Sequence, residues 1–325
     1  MLFLHLLLLT AGFAALIKGA GCFVDGSSSL AKNFKVPSLI IGLTIVALGT
    51  SAPEFAVSLS AALQGSNEIA LSNVVGSNIF NLLCVLGICA VIHTVPVDKK
   101  VIRRDFPLSI AATLLLLVMT GADAIRSGRL LRIGMDDTAG TVSRLTGILL
   151  FAVFLAYILY LIVDARKHPE SEKPGTCLPV WKCALLIAVG LILIIGGGQA
   201  VVYGAKAIAH TMGMSETLIG LTIVAVGTSL PELVTSVVAA KKGETGLAIG
   251  NVIGSNLFNV LFILGLSAAI HPVTVNAASV YDLFILLAVS VIAFLFSLSR
   301  ESVRRAEGIV MILLYLADIL FAAVR

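Results

Sequence analysis

Glu54 and Glu232 stand 178 positions apart in apolar surroundings, each ending a Gly-Thr-Ser-x-Pro-Glu segment. Thr50 and Ser51 precede Glu54 by four and three residues, and Thr228 and Ser229 precede Glu232 likewise, so a helix would put two hydroxyls and a carboxylate on one face. Pro53 and Pro231 have no N–H, which frees the carbonyls of Gly49 and Gly227, and each glycine weakens its helix further. The spacing predicts two interrupted helices presenting backbone carbonyls, hydroxyls and one carboxylate apiece. On the next run Asn73, Ser77 and Asn81 fall at i, i+4 and i+8, and Asn251, Ser255 and Asn259 mirror them. All these groups are hard oxygen donors. Such donors suit Ca²⁺ and also Na⁺, whereas no His or Cys set points to zinc or copper, and magnesium usually takes few protein ligands.

Two carboxylates balance one Ca²⁺. An empty site holding two uncompensated carboxylates should resist passing through an occluded state. Ca²⁺, two or more Na⁺, or protons would neutralise it, so obligatory exchange is the expected behaviour.

The elements that must position these groups are set by an internal repeat. Residues 42–87 align with 220–265 without a gap, and 26 of the 46 positions are identical. The same offset carries Gly19, Val24 and Gly26 onto Gly197, Val202 and Gly204, so the repeat begins one run earlier. The chain has 325 residues, 58% hydrophobic and only 12% charged. Soluble domains carry about 25% charged residues, so a polytopic membrane protein is expected. Aromatics are 6% and no evenly alternating segments occur, which argues against a β-barrel and for helices that satisfy their own backbone in lipid. Ten apolar runs can be marked, at 1–24, 37–64, 69–94, 106–122, 145–163, 180–203, 215–240, 246–271, 281–298 and 308–324.

The expected fold is an all-α polytopic membrane protein of ten transmembrane helices in two inverted five-helix repeats. The first half covers 1–163, with its α-repeat at 37–94; a short cytoplasmic linker covers 164–180; the second half covers 181–325, with its α-repeat at 215–271. Five spans per half is an odd number, so equivalent helices cross in opposite directions, the pattern of secondary transporters with a midplane site. The net charge of +4 encodes orientation rather than a nucleic-acid partner. With the N-terminus outside, 15 of the 22 Lys and Arg fall in cytoplasmic loops, which places both termini outside.

Other polar residues read modestly. Cys22, Cys84, Cys89, Cys177 and Cys183 contain no CxxC pair and are expected to act mainly as small buried hydrophobes. His93 and His271 match across the offset and are expected at helix ends, Asp25 is expected to pair with Lys18 on one helix, and Asp136 and Asp137 belong to a solvated outer loop. Asp318 lies in the last run and is given no ion.

The segments GTSAPE and GTSLPE, with SNVVGSNIFN and GNVIGSNLFN, resemble the α-repeats of the sodium/calcium exchanger branch of the cation/Ca²⁺ antiporter superfamily. The resemblance is close to compact prokaryotic members and spans essentially the whole chain. It implies that Glu54 and Glu232 bind transported Ca²⁺. It also implies that Thr50, Ser51, Ser77, Thr228, Ser229 and Ser255, with the carbonyls of Ala47 and Ala225, line Ca²⁺ and Na⁺ subsites, and that Asn81 and Asn259 complete the centre. No cofactor is implied beyond the transported Ca²⁺ and Na⁺; the partners are these ions, H⁺ as the alternative, and the lipid of the inner membrane, and a monomer suffices for transport. Potassium-dependent relatives rely on an aspartate where Asn81 or Asn259 stands, so K⁺ co-transport is not expected. The short linker leaves no room for the large cytosolic Ca²⁺-sensing domains of animal exchangers. Proton-coupled relatives usually lack the hydroxyl pair, so Na⁺/Ca²⁺ exchange is the first reading, H⁺/Ca²⁺ exchange the alternative, and a cation channel the reading from a different class.

Overall fold

Apolar runs of this length fold as helices because a helix in lipid leaves no backbone polar group unpaired. A computed structural model describes residues 2–64, 67–126, 134–135, 137–167, 169, 177–212 and 225–324. Its helices are α1 (Leu2–Asn33), α2 (Ser38–Thr50), α3 (Ala52–Leu63), α4 (67–92), α5 (101–126), α6 (Arg144–Lys167), α7 (Val180–Thr211), α8 (Ala225–Thr228), α9 (Leu230–Lys241), α10 (Thr245–Ile270), α11 (Ala277–Arg300) and α12 (Arg305–Val324). Among the described residues six helices are long and apolar enough to cross a membrane, and the pair α2 and α3, bent by 52°, would make a seventh. The expected run at 215–240 has its first part, through 224, outside the described residues, and 168 and 170–176 of the 164–180 linker lie there too. α1 and α7 run on past the apolar limits at 24 and 203, to Asn33 and Thr211. α6 likewise continues to Lys167, into the expected linker.

Glycines set how closely the helices meet. A Cβ placed on Gly12 would lie 2.9 Å from the Gly197 carbonyl oxygen and one on Gly197 2.8 Å from that of Gly12; Gly19 and Gly190 are related in the same reciprocal way at 2.9 Å. Further along, Gly26 would meet the Cys183 carbonyl and Gly204 that of His5. The contacts climb α1 as they descend α7, so the two helices are antiparallel, joined backbone to backbone as small residues allow. α2 and α10 instead run parallel: Gly246 lies against Leu39, Gly250 against Gly42, and Gly254 against Leu43 and Ala47.

Two short antiparallel sheets tie the connections together. β1 (Val95–Pro96), after α4, pairs with β4 (Ser302–Val303), between α11 and α12, with Val95 opposite Val303. β2 (Thr138–Val142), before α6, pairs with β3 (Val273–Asn276), after α10, with Val142 opposite Val273 and a bulge between Thr138 and Gly140. His93 and His271 each terminate a helix in extended backbone, as expected of helix-end residues. Asp137 accepts from the Gly134 N–H at 2.7 Å and so holds the loop before β2, while Asp136 lies outside the described residues.

Ionic contacts fasten helix ends. Asp25 does not pair with Lys18: its carboxylate receives Lys242 Nζ at 2.6 Å, from the turn between α9 and α10. Spacing along one helix locates a neighbour, but here another helix packs closer. At the start of α5, Arg104 donates to both oxygens of Asp105, at 2.6 and 3.0 Å, and Tyr157 of α6 donates to Asp105 at 3.0 Å. Lys100 and Arg104 both reach Asp164 of α6, at 2.9 and 3.4 Å. Cys89 and Cys183 are buried, Cys22 and Cys84 partly buried, and Cys177 is exposed.

Candidate cation site

The site forms where two helices break. Ser51 separates α2 from α3 with φ −82° and ψ 10°, and Ser229 separates α8 from α9 with φ −94° and ψ 7°, so both breaks fall at the Ser of the Thr-Ser-x-Pro-Glu segment. The cause is local: the proline two residues on cannot return a hydrogen bond to the glycine carbonyl, and the glycine supplies no stiffness. Glu54 and Glu232 then sit in the first turns of α3 and α9, both with no exposed surface. A helix N-terminus favours a carboxylate there.

The hydroxyls serve the opposite carboxylate. Ser51 donates to Glu232 at 2.8 Å, and Ser229 donates to Glu54 at 3.0 Å. Ser77 of α4 reaches Glu54 at 3.3 Å and shares a hydrogen bond with Ser229 at 2.9 Å. Thr50 donates to the Asn251 side-chain oxygen at 2.9 Å, with the carbonyls of Val46 and Ala47 close by at 3.1 and 3.3 Å. Spacing alone places Thr50 and Ser51 beside Glu54; with the break at Ser51 they reach Asn251 and Glu232 instead. Thr228 is half-buried directly before the other break, Ser255 is fully buried on α10, and Ala225 opens α8.

Asn73 and Asn251 support the carboxylates from behind. Asn73 donates to the Glu54 carbonyl at 3.3 Å and to Ser58 at 2.9 Å, and Asn251 repeats both bonds, to the Glu232 carbonyl and Ser236, at the same two distances. Asn81 and Asn259 each fall in a stretch where the helix widens to π turns, at Asn81–Val85 and Phe258–Leu264, a feature common at functional sites. Asn259 donates to Ser77 at 3.3 Å and to the Asn78 side chain at 3.0 Å, while Asn81 donates to the Asn256 side chain at 3.2 Å. Ser58, Asn78, Ser236 and Asn256 are not among the residues that spacing singles out, although each is identical in the two repeat copies.

After these bonds are made, five buried oxygens at these positions remain without a protein partner among the described residues: Glu54 Oε2, Glu232 Oε2, Asn81 Oδ1, Asn259 Oδ1 and Ser255 Oγ. Four are acceptors only, two of them on carboxylates. A buried carboxylate oxygen left unpaired is costly, and a cation relieves that cost. The donor set, all oxygen, fits a hard cation.

Comparison with known proteins gives a consistent answer. The family model described as "Sodium/calcium exchanger protein" matches residues 4–163 and 182–324. The sodium/calcium exchanger MaX1 of Methanosarcina acetivorans is 30% identical over 342 residues, covering 98% of each chain. The inner membrane protein YrbG of Escherichia coli is 34% identical over 318 residues, covering 93% of this chain and 91% of the relative. Among solved structures, the sodium-calcium exchanger NCX_Mj soaked with Na⁺ and Sr²⁺ superposes with a TM-score of 0.81 at 30% identity, covering 98% of this chain and 99% of the other.

Proposed function

The chain belongs to the sodium/calcium exchanger protein family, whose membership makes it an integral multi-pass cation/Ca²⁺ antiporter, and from that premise we propose that it exchanges Ca²⁺ for Na⁺ by alternating access. Glu54 and Glu232 together hold one Ca²⁺. Thr50, Ser51, Ser77, Thr228, Ser229, Ser255, Asn81, Asn259 and the carbonyls of Ala47 and Ala225 complete the Ca²⁺ and Na⁺ subsites. The observation that carries this reading is the crossed pair of hydrogen bonds, Ser51 to Glu232 and Ser229 to Glu54, beside two carboxylate oxygens with no protein partner among the described residues. Each half supplies part of the environment of the other's glutamate, so a displacement of one half against the other changes both at once.

In this reading ten transmembrane helices form two inverted halves, 1–163 and 181–325, joined by 164–180. Three features support it. The first helices of the two halves, α1 and α7, are antiparallel. The second span of the first half, ending in α2 and α3, has α2 parallel to α10, which is the eighth span in this count, and even-numbered spans must share a direction. Each sheet joins connections of matching parity: β1 and β4 follow the third and ninth spans, β2 and β3 the fourth and eighth. The Lys and Arg distribution supports both termini lying outside, and the membrane in this reading is the inner one.

The test is Ca²⁺ uptake into proteoliposomes under an imposed Na⁺ gradient and, separately, an imposed pH gradient. Uptake is expected with Na⁺ inside and to stop when the Na⁺ gradient is dissipated. Uptake driven by the pH gradient alone would replace this reading with H⁺/Ca²⁺ exchange, and flux independent of any trans ion would indicate a channel.

A further inference from the structure

Two buried asparagines beside the site are assigned no ion, yet they determine what the site presents. Asn78 on α4 donates through Nδ2 to the backbone carbonyl of Asn256 at 3.1 Å, and Asn256 on α10 donates through Nδ2 to the backbone carbonyl of Asn78 at 3.2 Å. A backbone carbonyl only accepts. The Asn78 carboxamide therefore has one permitted orientation, with Nδ2 on that carbonyl and Oδ1 turned away. That Oδ1, also only an acceptor, lies 3.0 Å from Asn259, which must meet it with Nδ2. Asn259 Oδ1 is then left facing elsewhere, and it has no protein partner among the described residues. The other half repeats the sequence: Asn256 Oδ1 receives Asn81 Nδ2 at 3.2 Å, and Asn81 Oδ1 has no protein partner among the described residues. The Ser77 hydroxyl near Asn259 can accept or donate and so imposes no orientation.

We infer that Asn78 and Asn256 are positioning residues that lock the carboxamides of Asn259 and Asn81 with oxygen, not N–H, toward the transported cation. The two ends of a carboxamide have nearly the same shape, so packing alone does not choose between them. A reversed amide would direct two N–H groups at a cation and repel it. The relay starts at a backbone carbonyl in each helix, which cannot itself turn over. This inference rests on the proposed ion site.

The experiment is a double-mutant cycle on Na⁺-driven Ca²⁺ uptake, with gel filtration confirming folded protein. Asn78→Ala is expected to raise KM for Ca²⁺ by about 10- to 100-fold, the range seen when a group orienting a metal ligand is lost, with a smaller change in kcat. In an Asn259→Asp background either carboxylate oxygen serves whichever way the group turns. There Asn78→Ala should leave KM within about twofold of its parent, the scatter expected of uncoupled sites. An equal loss in both backgrounds would mean that Asn78 only packs the helices, and would overturn the inference while leaving the ion site intact. Asn256→Ala with Asn81→Asp runs the same cycle on the other half, so a folding failure in one half leaves the other to decide. Failure of the underlying site would look different: Asn259→Ala and Asn81→Ala would both leave KM unchanged, and the inference would fall with it.

Discussion

Glu54→Gln and Glu232→Gln are each expected to lower Ca²⁺ affinity and Ca²⁺ uptake by at least about 100-fold. Removing one partner of a buried charge pair costs about 3–5 kcal/mol, and each 1.4 kcal/mol is about tenfold in affinity. Glutamine keeps an acceptor for the Ser229 and Ser77 hydroxyls at position 54 and for the Ser51 hydroxyl at position 232, so the local hydrogen bonds persist. The variants should therefore fold. They should be at least as heat-stable as the parent in ion-free buffer, because a buried carboxylate charge is replaced by a neutral amide. Added Ca²⁺ should raise the melting temperature of the parent and leave that of the variants unmoved. Thermal unfolding in detergent with and without Ca²⁺ checks both halves of this expectation; a variant stabilised by Ca²⁺ as strongly as the parent would remove that glutamate from the site.

The second large effect concerns stability rather than transport. Asp105 has no exposed surface and is held by both arms of Arg104, whose side chain is 17% exposed, and by the Tyr157 hydroxyl. The guanidinium also lies 5.4 Å from the centre of the Tyr160 ring and 3.4 Å from Asp164. Arg104→Met keeps much of the side-chain length but leaves Asp105 buried without its cation, which should destabilise the protein by about 3–5 kcal/mol. Changing Asp105→Leu in the same chain removes the stranded charge, and most of the stability should return, because a buried ion pair is often worth no more than a well-packed apolar pair. Thermal unfolding of the single and double variants decides the matter. A single variant as stable as the parent would mean that the contact contributes nothing, and equal losses in single and double variants would point to packing rather than charge.

Much of the site was legible in the sequence because its cause is local. Glycine and proline fix where the helix breaks, and the break occurs at Ser51 and Ser229 within the two matched segments. The repeat also located the asparagine-bearing helices. What spacing alone does not reveal is contact between distant parts of the chain. Helical periodicity places Ser51 beside Glu54, whereas its partner is Glu232, because the break re-aims the hydroxyl toward the first turn of α9. Lys18 and Asp25 share one helix, but Lys242 arrives from the turn after α9 and takes the carboxylate. Asn78 and Asn256 were hidden for another reason: they fall off the i, i+4, i+8 pattern and earn their place only where α4 and α10 cross. The π turns beginning near Asn81 and Asn259 are likewise invisible to a 3.6-residue pattern.

The most direct test is equilibrium Ca²⁺ binding to the purified protein by titration calorimetry, with Na⁺ as competitor. A shared site predicts one Ca²⁺ per chain, displaced by Na⁺, and lost when either glutamate alone becomes glutamine. Two Ca²⁺ per chain, or one Ca²⁺ that still binds with undiminished affinity after either single substitution, would contradict a cation held jointly by Glu54 and Glu232.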